Sequence, residues 1–161
     1  MPDTQQFILG EHWCTLDERH RLVLPGPLVG PLVADAPEVV LAKERTGCLS
    51  LWPAAAWKTR LQRRVKLIEG KLEAEMLGDR LGHVQMLGRL LSSRHADVRL
   101  DARGRLTVPE RFREFLEVER GDEVVAVGAA VCVEIWKPAS WSAYQRQRMP
   151  KFRRLLEELS K

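Results

Sequence analysis

The chain has 161 residues, 45% of them apolar and 30% charged, with 26 basic and 22 acidic side chains and a formal net charge of +4. That is a globular composition, neither disordered nor membrane-embedded, and no apolar run reaches the roughly 20 residues a membrane helix requires. The mild basic excess permits a polyanionic partner without requiring one.

Residues 1 to 6 are polar and expected to fray, and Phe7 to Leu16 mixes aromatic, β-branched and polar residues in the manner of a first strand. Asp17-Glu-Arg-His20 interrupts that run before Arg21-Leu-Val-Leu24, which predicts a reversal joining two antiparallel strands with charged residues at its tip. Pro25 cannot donate to a ladder and ends the second strand. Gly26-Pro27 and Gly30-Pro31 predict no more than one short turn over residues 26 to 38. Val39 to Lys43 and Cys48 to Trp52, separated by Thr46-Gly47, predict a second hairpin that buries Leu49 and Leu51 and ends at Pro53.

From Trp57 the period changes. Trp57, Leu61, Val65, Ile68, Leu72 and Met76 recur every three or four residues, the stripe of an amphipathic helix, with Lys58, Arg60, Arg63, Arg64 and Lys66 on much of the other face, read either as a solvated helix surface or as a nucleic-acid or subunit contact. Gly78 and Gly82 predict the end of this helix and Val84 to Leu91 a second, shorter one. Asp97 to Leu100 then reads as a strand, Asp101-Ala-Arg-Gly104 as a reversal and Arg105 to Val108 as the return strand. Pro109 opens a helix where its missing N–H costs nothing, and Phe112, Phe115 and Leu116 form the apolar edge of that helix. Glu123 to Val127 is the next strand; after Gly128, Val131, Val133 and Ile135 alternate inward with Cys132, Glu134 and Trp136 opposite, and Pro138 closes the sheet. Residues 139 to 160 return to helical spacing through Trp141, Tyr144, Phe152, Leu155, Leu156 and Leu159, with a kink or break expected at Pro150.

One pattern, Leu-Asp-x-Arg-x-Arg-Leu-x-apolar-Pro, is written twice in this chain, over Leu16 to Pro25 and again over Leu100 to Pro109. The same offset, with no gap, sets Val40 on Val124, Cys48 on Cys132, Leu51 on Ile135, Trp52 on Trp136 and Trp57 on Trp141. A period that long is not a solenoid unit, so the chain reads as two copies of one small module. The copies span 11–56 and 97–141, joined by helices over 57–95 and followed by a helical segment at 142–161. A module of about 45 residues rarely stabilises itself, so the two are expected to share one core.

Each copy sets an aspartate and two arginines at a reversal: Asp17, Arg19 and Arg21, then Asp101, Arg103 and Arg105. Residues two apart on a strand point the same way, so the arginines of a copy can project together as forked donors suited to phosphate oxygens or a guanine edge. One tip offers little affinity, whereas a ring or dimer repeating it neutralises several phosphates and becomes strongly salt-dependent. A second reading pairs Asp17 with Arg21 and Asp101 with Arg105 across their own turns, pinning the hairpin. Gly104 suits a positive φ; His20 takes its place in the first copy, where it is strained, and is a further candidate phosphate or base contact. Cys14, Cys48 and Cys132 lack a Cys-x-x-Cys spacing and read as small core residues. His12, His20, His83 and His95 have no metal-ligand spacing, and there is no Gly-rich phosphate loop or Gly-x-Ser-x-Gly elbow. Neither an enzyme, a metal, a cofactor nor a small-molecule substrate is therefore expected. No secretion signal is read at the N-terminus, which makes a cytoplasmic location the expectation.

Leu100-Asp-Ala-Arg-Gly-Arg-Leu-Thr-Val-Pro109, followed by Val124-Val-Ala-Val-Gly128 and Glu134-Ile-Trp136, resembles the second half of the MraZ family of bacterial transcriptional regulators. Asp17-Glu-Arg-His-Arg21 with Leu22 to Pro25, then Cys48-Leu-Ser-Leu-Trp-Pro53 and Trp57, is similar to the first half. The resemblance implies an α+β fold of two AbrB-like modules, a pseudo-symmetric swapped-hairpin β-barrel with flanking helices, assembled into ring-shaped homo-oligomers. It also implies binding to double-stranded DNA in the nucleoid, at repeated elements upstream of a cell-division and cell-wall gene cluster, with repression the usual outcome. The Asp-x-x-x-Arg motifs carry that binding, here Asp17 with Arg21 and Asp101 with Arg105. The first copy departs from the family pattern in His20, which replaces a glycine, and in the Gly-Pro-rich residues 26 to 37, which replace a more helical segment. The alternative is an AbrB-like oligomeric scaffold or antitoxin-like module that holds a protein partner and uses its tips for assembly.

Overall fold

The computed structural model describes residues 7–73 and 81–161; the expectations for residues 1 to 6, Met76 and Gly78 lie outside them. The first repeat forms β1 (Glu11–Thr15), β2 (Arg21–Val23), α1 (Gly26–Leu32), β3 (Glu38–Arg45), β4 (Cys48–Pro53) and α2 (Ala54–Glu73). After α3 (Leu81–Ser93) come β5 (His95–Arg99), β6 (Arg105–Thr107), α4 (Glu110–Leu116), β7 (Glu123–Gly128), β8 (Val133–Trp136) and α5 (Pro138–Leu159). The bounds of β1, β2 and α1 recur at the repeat offset as those of β5, β6 and α4, and the first residues of α2 and α5 are separated by the same interval.

The strands make a six-stranded antiparallel sheet in the order β1-β7-β8-β4-β3-β5, with β2 and β6 in a two-stranded ribbon of their own. Among the described residues the sheet is not closed into a barrel, so the expected closure is corrected to an open sheet with β1 and β5 at its edges. The expected β1–β2 ladder is corrected as well. At each reversal the chain leaves the ladder: Asp17 N–H donates to the Arg21 carbonyl at 2.9 Å and Asp101 N–H to the Arg105 carbonyl at 3.1 Å, but the return strands then pair with each other. Within each repeat only the hairpins β3–β4 and β7–β8 are ladders; the other pairs cross between the repeats, β1 with β7, β4 with β8, β3 with β5 and β2 with β6.

This pairing leaves a single main core. Leu16, Leu22, Leu24, Leu28 and Leu32 pack in one cluster with Leu106, Val108, Phe112 and Leu116, over Leu41, Leu51, Val124 and Ile135 of the sheet. Each such side chain contributes about 1.5–3 kcal/mol when fully buried. Strands β4 and β8 are buried on both faces, which corrects the expected one-sided alternation: Trp136 and Cys132 are buried like Ile135, while Val131 faces out. The cause lies just after β8, where α5 folds back and sets Trp141 and Tyr144 against Trp136 at 5.2 and 5.0 Å between ring centroids. Trp57 at the start of α2 meets Trp52 in the same way at 6.2 Å. Cys14, Cys48 and Cys132 are free and buried, as small core residues should be.

Three helix expectations change. Residues 26–32 form a seven-residue helix in spite of their prolines. Pro27 sits in the first turn, where no N–H is needed, the Pro25 carbonyl accepts from Leu28 and Val29, and burial of Leu28 and Leu32 holds the segment down. Gly82 lies inside the first turn of α3 instead of ending the preceding helix, and α5 runs through Pro150 without a break. The apolar stripe of α2 is only partly covered: Trp57, Leu61 and Ile68 are half-buried but Val65 is exposed. Neither α3 nor α5 has a buried residue, and Leu87, Leu90, Phe152, Leu155 and Leu156 face solvent.

Candidate nucleic-acid interface

Both reversals are built on one carboxylate clamp. Asp17 Oδ1 accepts the backbone N–H groups of Arg19 at 2.8 Å and Arg21 at 2.9 Å, while Oδ2 accepts Arg21 Nε at 2.9 Å. Asp101 repeats it, with Oδ1 taking the N–H groups of Arg103 and Arg105 at 2.9 Å each and Oδ2 taking Arg105 Nε. An aspartate bonded to the chain two and four residues on is a natural turn former. Backbone donation from Arg21, together with the Arg19 N–H and the Arg21 guanidinium, holds the Asp17 carboxyl below its usual range; Arg105 does the same for Asp101. The aspartates thus serve as turn pins. Each clamped arginine uses Nε on its aspartate, and its terminal amino groups meet no acceptor among the described residues. Arg19 and Arg103 are exposed one step away on the turns.

The ribbon brings the two turns together. Its register sets Arg21 opposite Thr107, Leu22 opposite Leu106 and Val23 opposite Arg105. Since side chains alternate, Leu22 and Leu106 enter the core while Arg21, Val23, Arg105 and Thr107 share the outer face. Arg21 and Arg105 are diagonal neighbours there, about 7–8 Å apart by sheet geometry. Val23 lies between them, 57% exposed. Two further bonds extend the ribbon between repeats, Leu24 N–H to the Gly104 carbonyl at 3.0 Å and Val108 N–H to the His20 carbonyl at 2.9 Å.

His20 and Gly104 take the same left-handed conformation, φ 60° and 74°. A Cβ on Gly104 would lie 3.0 Å from the Leu24 carbonyl oxygen and 3.4 Å from a Val29 methyl. Arg113 is the counterpart of Val29 under the repeat offset, and it fills the corresponding place behind His20. Its Nη1 donates to the imidazole at 2.9 Å and its Nε to the Val108 carbonyl at 3.1 Å. Desolvation, then the charges of Arg113 and Arg120, lower the His20 pKa, which favours the neutral ring beside Arg113.

Residues 93–158 match the family model described as "MraZ protein, putative antitoxin-like". The chain is 30% identical to the transcriptional regulator MraZ of Heliobacterium modesticaldum over 153 residues, 95% of this chain and 96% of that protein. It is 32% identical to the transcriptional regulator MraZ of Roseiflexus castenholzii over 135 residues, 84% of each, and 32% identical to that of Thiobacillus denitrificans over 136 residues, again 84% of each. The chain belongs to the MraZ family.

The MraZ likeness over 153 residues takes in both turns, whereas the family model takes in only the second. Within this MraZ chain, the motif alone does not single out Val23 and Thr107, on the outer face of the ribbon, or Arg113, behind its first turn. For Arg113 a signal existed, because the repeat offset sets an arginine where the other copy has Val29. Among the described residues no group of three or more His, Cys, Asp or Glu side chains is arranged to hold a metal ion, and no helix is long and apolar enough to cross a membrane.

Proposed function

We propose that this chain is a sequence-specific DNA-binding transcription regulator that meets double-stranded DNA through the outer face of the β2–β6 ribbon. One observation carries the reading: two arginines, each aimed by its own aspartate, stand on one exposed face with terminal amino groups unpaired among the described residues. A guanidinium held through Nε keeps a fork free for a phosphate or a guanine edge. Arg19 and Arg103 add phosphate contacts at the flanks, and Val23 and Thr107 add small surfaces for base contact between them. Asp17 and Asp101 act by positioning, and His20 acts through Arg113. The names of the matched relatives, all transcriptional regulators, agree with this reading.

Strand exchange between the repeats supports the swapped-hairpin, AbrB-like arrangement, and the uncovered apolar faces of α3 and α5 support self-assembly into a ring. A ring repeats the arginine face and supplies the multiple phosphate contacts that one face lacks. Repression of a cell-division and cell-wall gene cluster from the cytoplasmic nucleoid is the role we assign by family resemblance. The test is a gel shift of Arg21→Ala with Arg105→Ala against the chain's own upstream DNA at two salt concentrations. Binding should fall by at least about tenfold, as the loss of two charged contacts requires, with oligomer mass unchanged. Retained binding refutes the reading, and loss of the oligomer favours the antitoxin-like scaffold.

A further inference from the structure

Between β3, α2 and the junction of α3 with β5 lies a cavity of about 170 Å³, whose walls include Trp57, Arg60, Arg64, Arg94 and His95. None of its three arginines forms an ion pair among the described residues. Two of them are held in place: Arg60 lies over the Trp52 ring at 4.9 Å, and Arg94 donates to the Lys43 carbonyl while lying over Phe115 at 5.9 Å. The acid in the wall, Glu44, already accepts the hydroxyl of the buried Ser50 at 2.8 Å. The Lys43 ammonium lies over Phe112 and Phe115 at 5.5 and 5.6 Å. The indole N–H of Trp57 is buried and has no acceptor among the described residues. A buried donor left without a partner is destabilising and calls for an explanation.

We infer that this cavity binds a small oxyanion of the phosphate class. Three arginines against the one carboxylate of Glu44 leave the wall net cationic, as a tetrahedral anion requires. The volume suits a phosphate group or a few waters, not a duplex. The site is also remote from the ribbon: β5 runs from His95 to Arg99 before the Asp101 turn, about 20 Å at strand rise. The second repeat does not reproduce the Arg60–Arg64 pair. Tyr144 stands where Arg60 would be. Trp141 also has an unpartnered indole N–H among the described residues, and its groove keeps Arg148 at the Arg64 position and adds Lys151, but Tyr144, Met149, Phe152 and Leu155 make it mainly apolar, with one arginine in place of three.

The inference is tested without DNA, so its outcome is independent of the ribbon reading. Calorimetric titration of the full chain with inorganic phosphate at constant ionic strength should show saturable binding of one phosphate per chain. Arg60→Gln with Arg64→Gln should weaken it by about tenfold or more; the exposed Arg64→Gln alone covers the case in which the double variant fails to fold. No saturable heat, an equal response to chloride, or unchanged affinity in the arginine variants overturns the inference. So does displacement of phosphate by a DNA duplex together with lost DNA binding in Arg64→Gln, which would assign the cavity to the nucleic-acid surface.

Discussion

At the first turn the left-handed residue is an imidazole backed by the Arg113 guanidinium; at the second it is a glycine backed by a Val29 methyl. The backbone is alike in both, φ 60° against 74°, and so is the carboxylate clamp, so the turn is specified by aspartate and arginine and the left-handed position is free to vary. A side chain there costs about 1–2 kcal/mol in conformation, and the first repeat offsets this with a partner for the ring. Charge follows from the difference. The first turn carries Arg113 beside Arg19 and Arg21, whereas an apolar contact fills that place at the second. The two turns are equivalent in geometry and unequal in cation count.

The largest expected effect tests the equivalence. Leu22 and Leu106 are directly paired on the core face of the ribbon and wholly buried, so truncating either to alanine should cost about 2–5 kcal/mol in urea unfolding. The two variants should fall within about 1 kcal/mol of each other. A large loss in one and a small loss in the other would mean that the repeats do not share their core equally.

Much of this was legible because it is local. Asp17 and Arg21 are four residues apart, and the reading that pairs them across the turn needs nothing beyond side-chain reach. The positive φ at His20 follows from its alignment with Gly104. Apart from the helix bounds at Gly82 and Pro150, the misses involve distant partners. The sequence shows two hairpin reversals but not that β2 pairs with β6 across the duplication, because register is set by burial of Leu22 and Leu106 on a shared core. The Gly-Pro composition of 26 to 32 argues locally against a helix, and tertiary burial of Leu28 and Leu32 overrides it. Arg113 lies 93 residues from His20. The double-sided burial of β8 depends on a helix that the strand's own alternation cannot reveal.

Next in size is the exchange of the left-handed residues. Gly104→Ala adds a Cβ at positive φ and 3.0 Å from the Leu24 carbonyl oxygen, so it should cost about 1–3 kcal/mol. The reverse change, His20→Gly, relieves strain but gives up the Arg113 contact and adds freedom to the unfolded chain, so it should stay within about 1 kcal/mol of the parent. Denaturant midpoints of the two variants measure the asymmetry directly. Equal losses would show that the Arg113 contact does nothing to compensate His20.

The smallest effect is the pH dependence that only the first turn has. His20 has a folded pKa below its ordinary 6.5, through desolvation first and the Arg113 and Arg120 charges next. The unfolded chain therefore takes up the proton more readily, so the contribution of His20 is complete above the unfolded pKa and is lost as pH falls through 6.5 and on to the folded value. His20→Gly should flatten stability against pH over that window, while a change at Gly104 should leave it alone. The Asp17 and Asp101 clamps have the same sign at lower pH, present above the ordinary carboxylate value of 3.8 and lost below it, and Asp17→Asn and Asp101→Asn should trim that acid limb alike. A parent profile already flat through about pH 6 to 7 would mean that the His20 ring keeps its ordinary pKa and that the Arg113 contact is not made in solution.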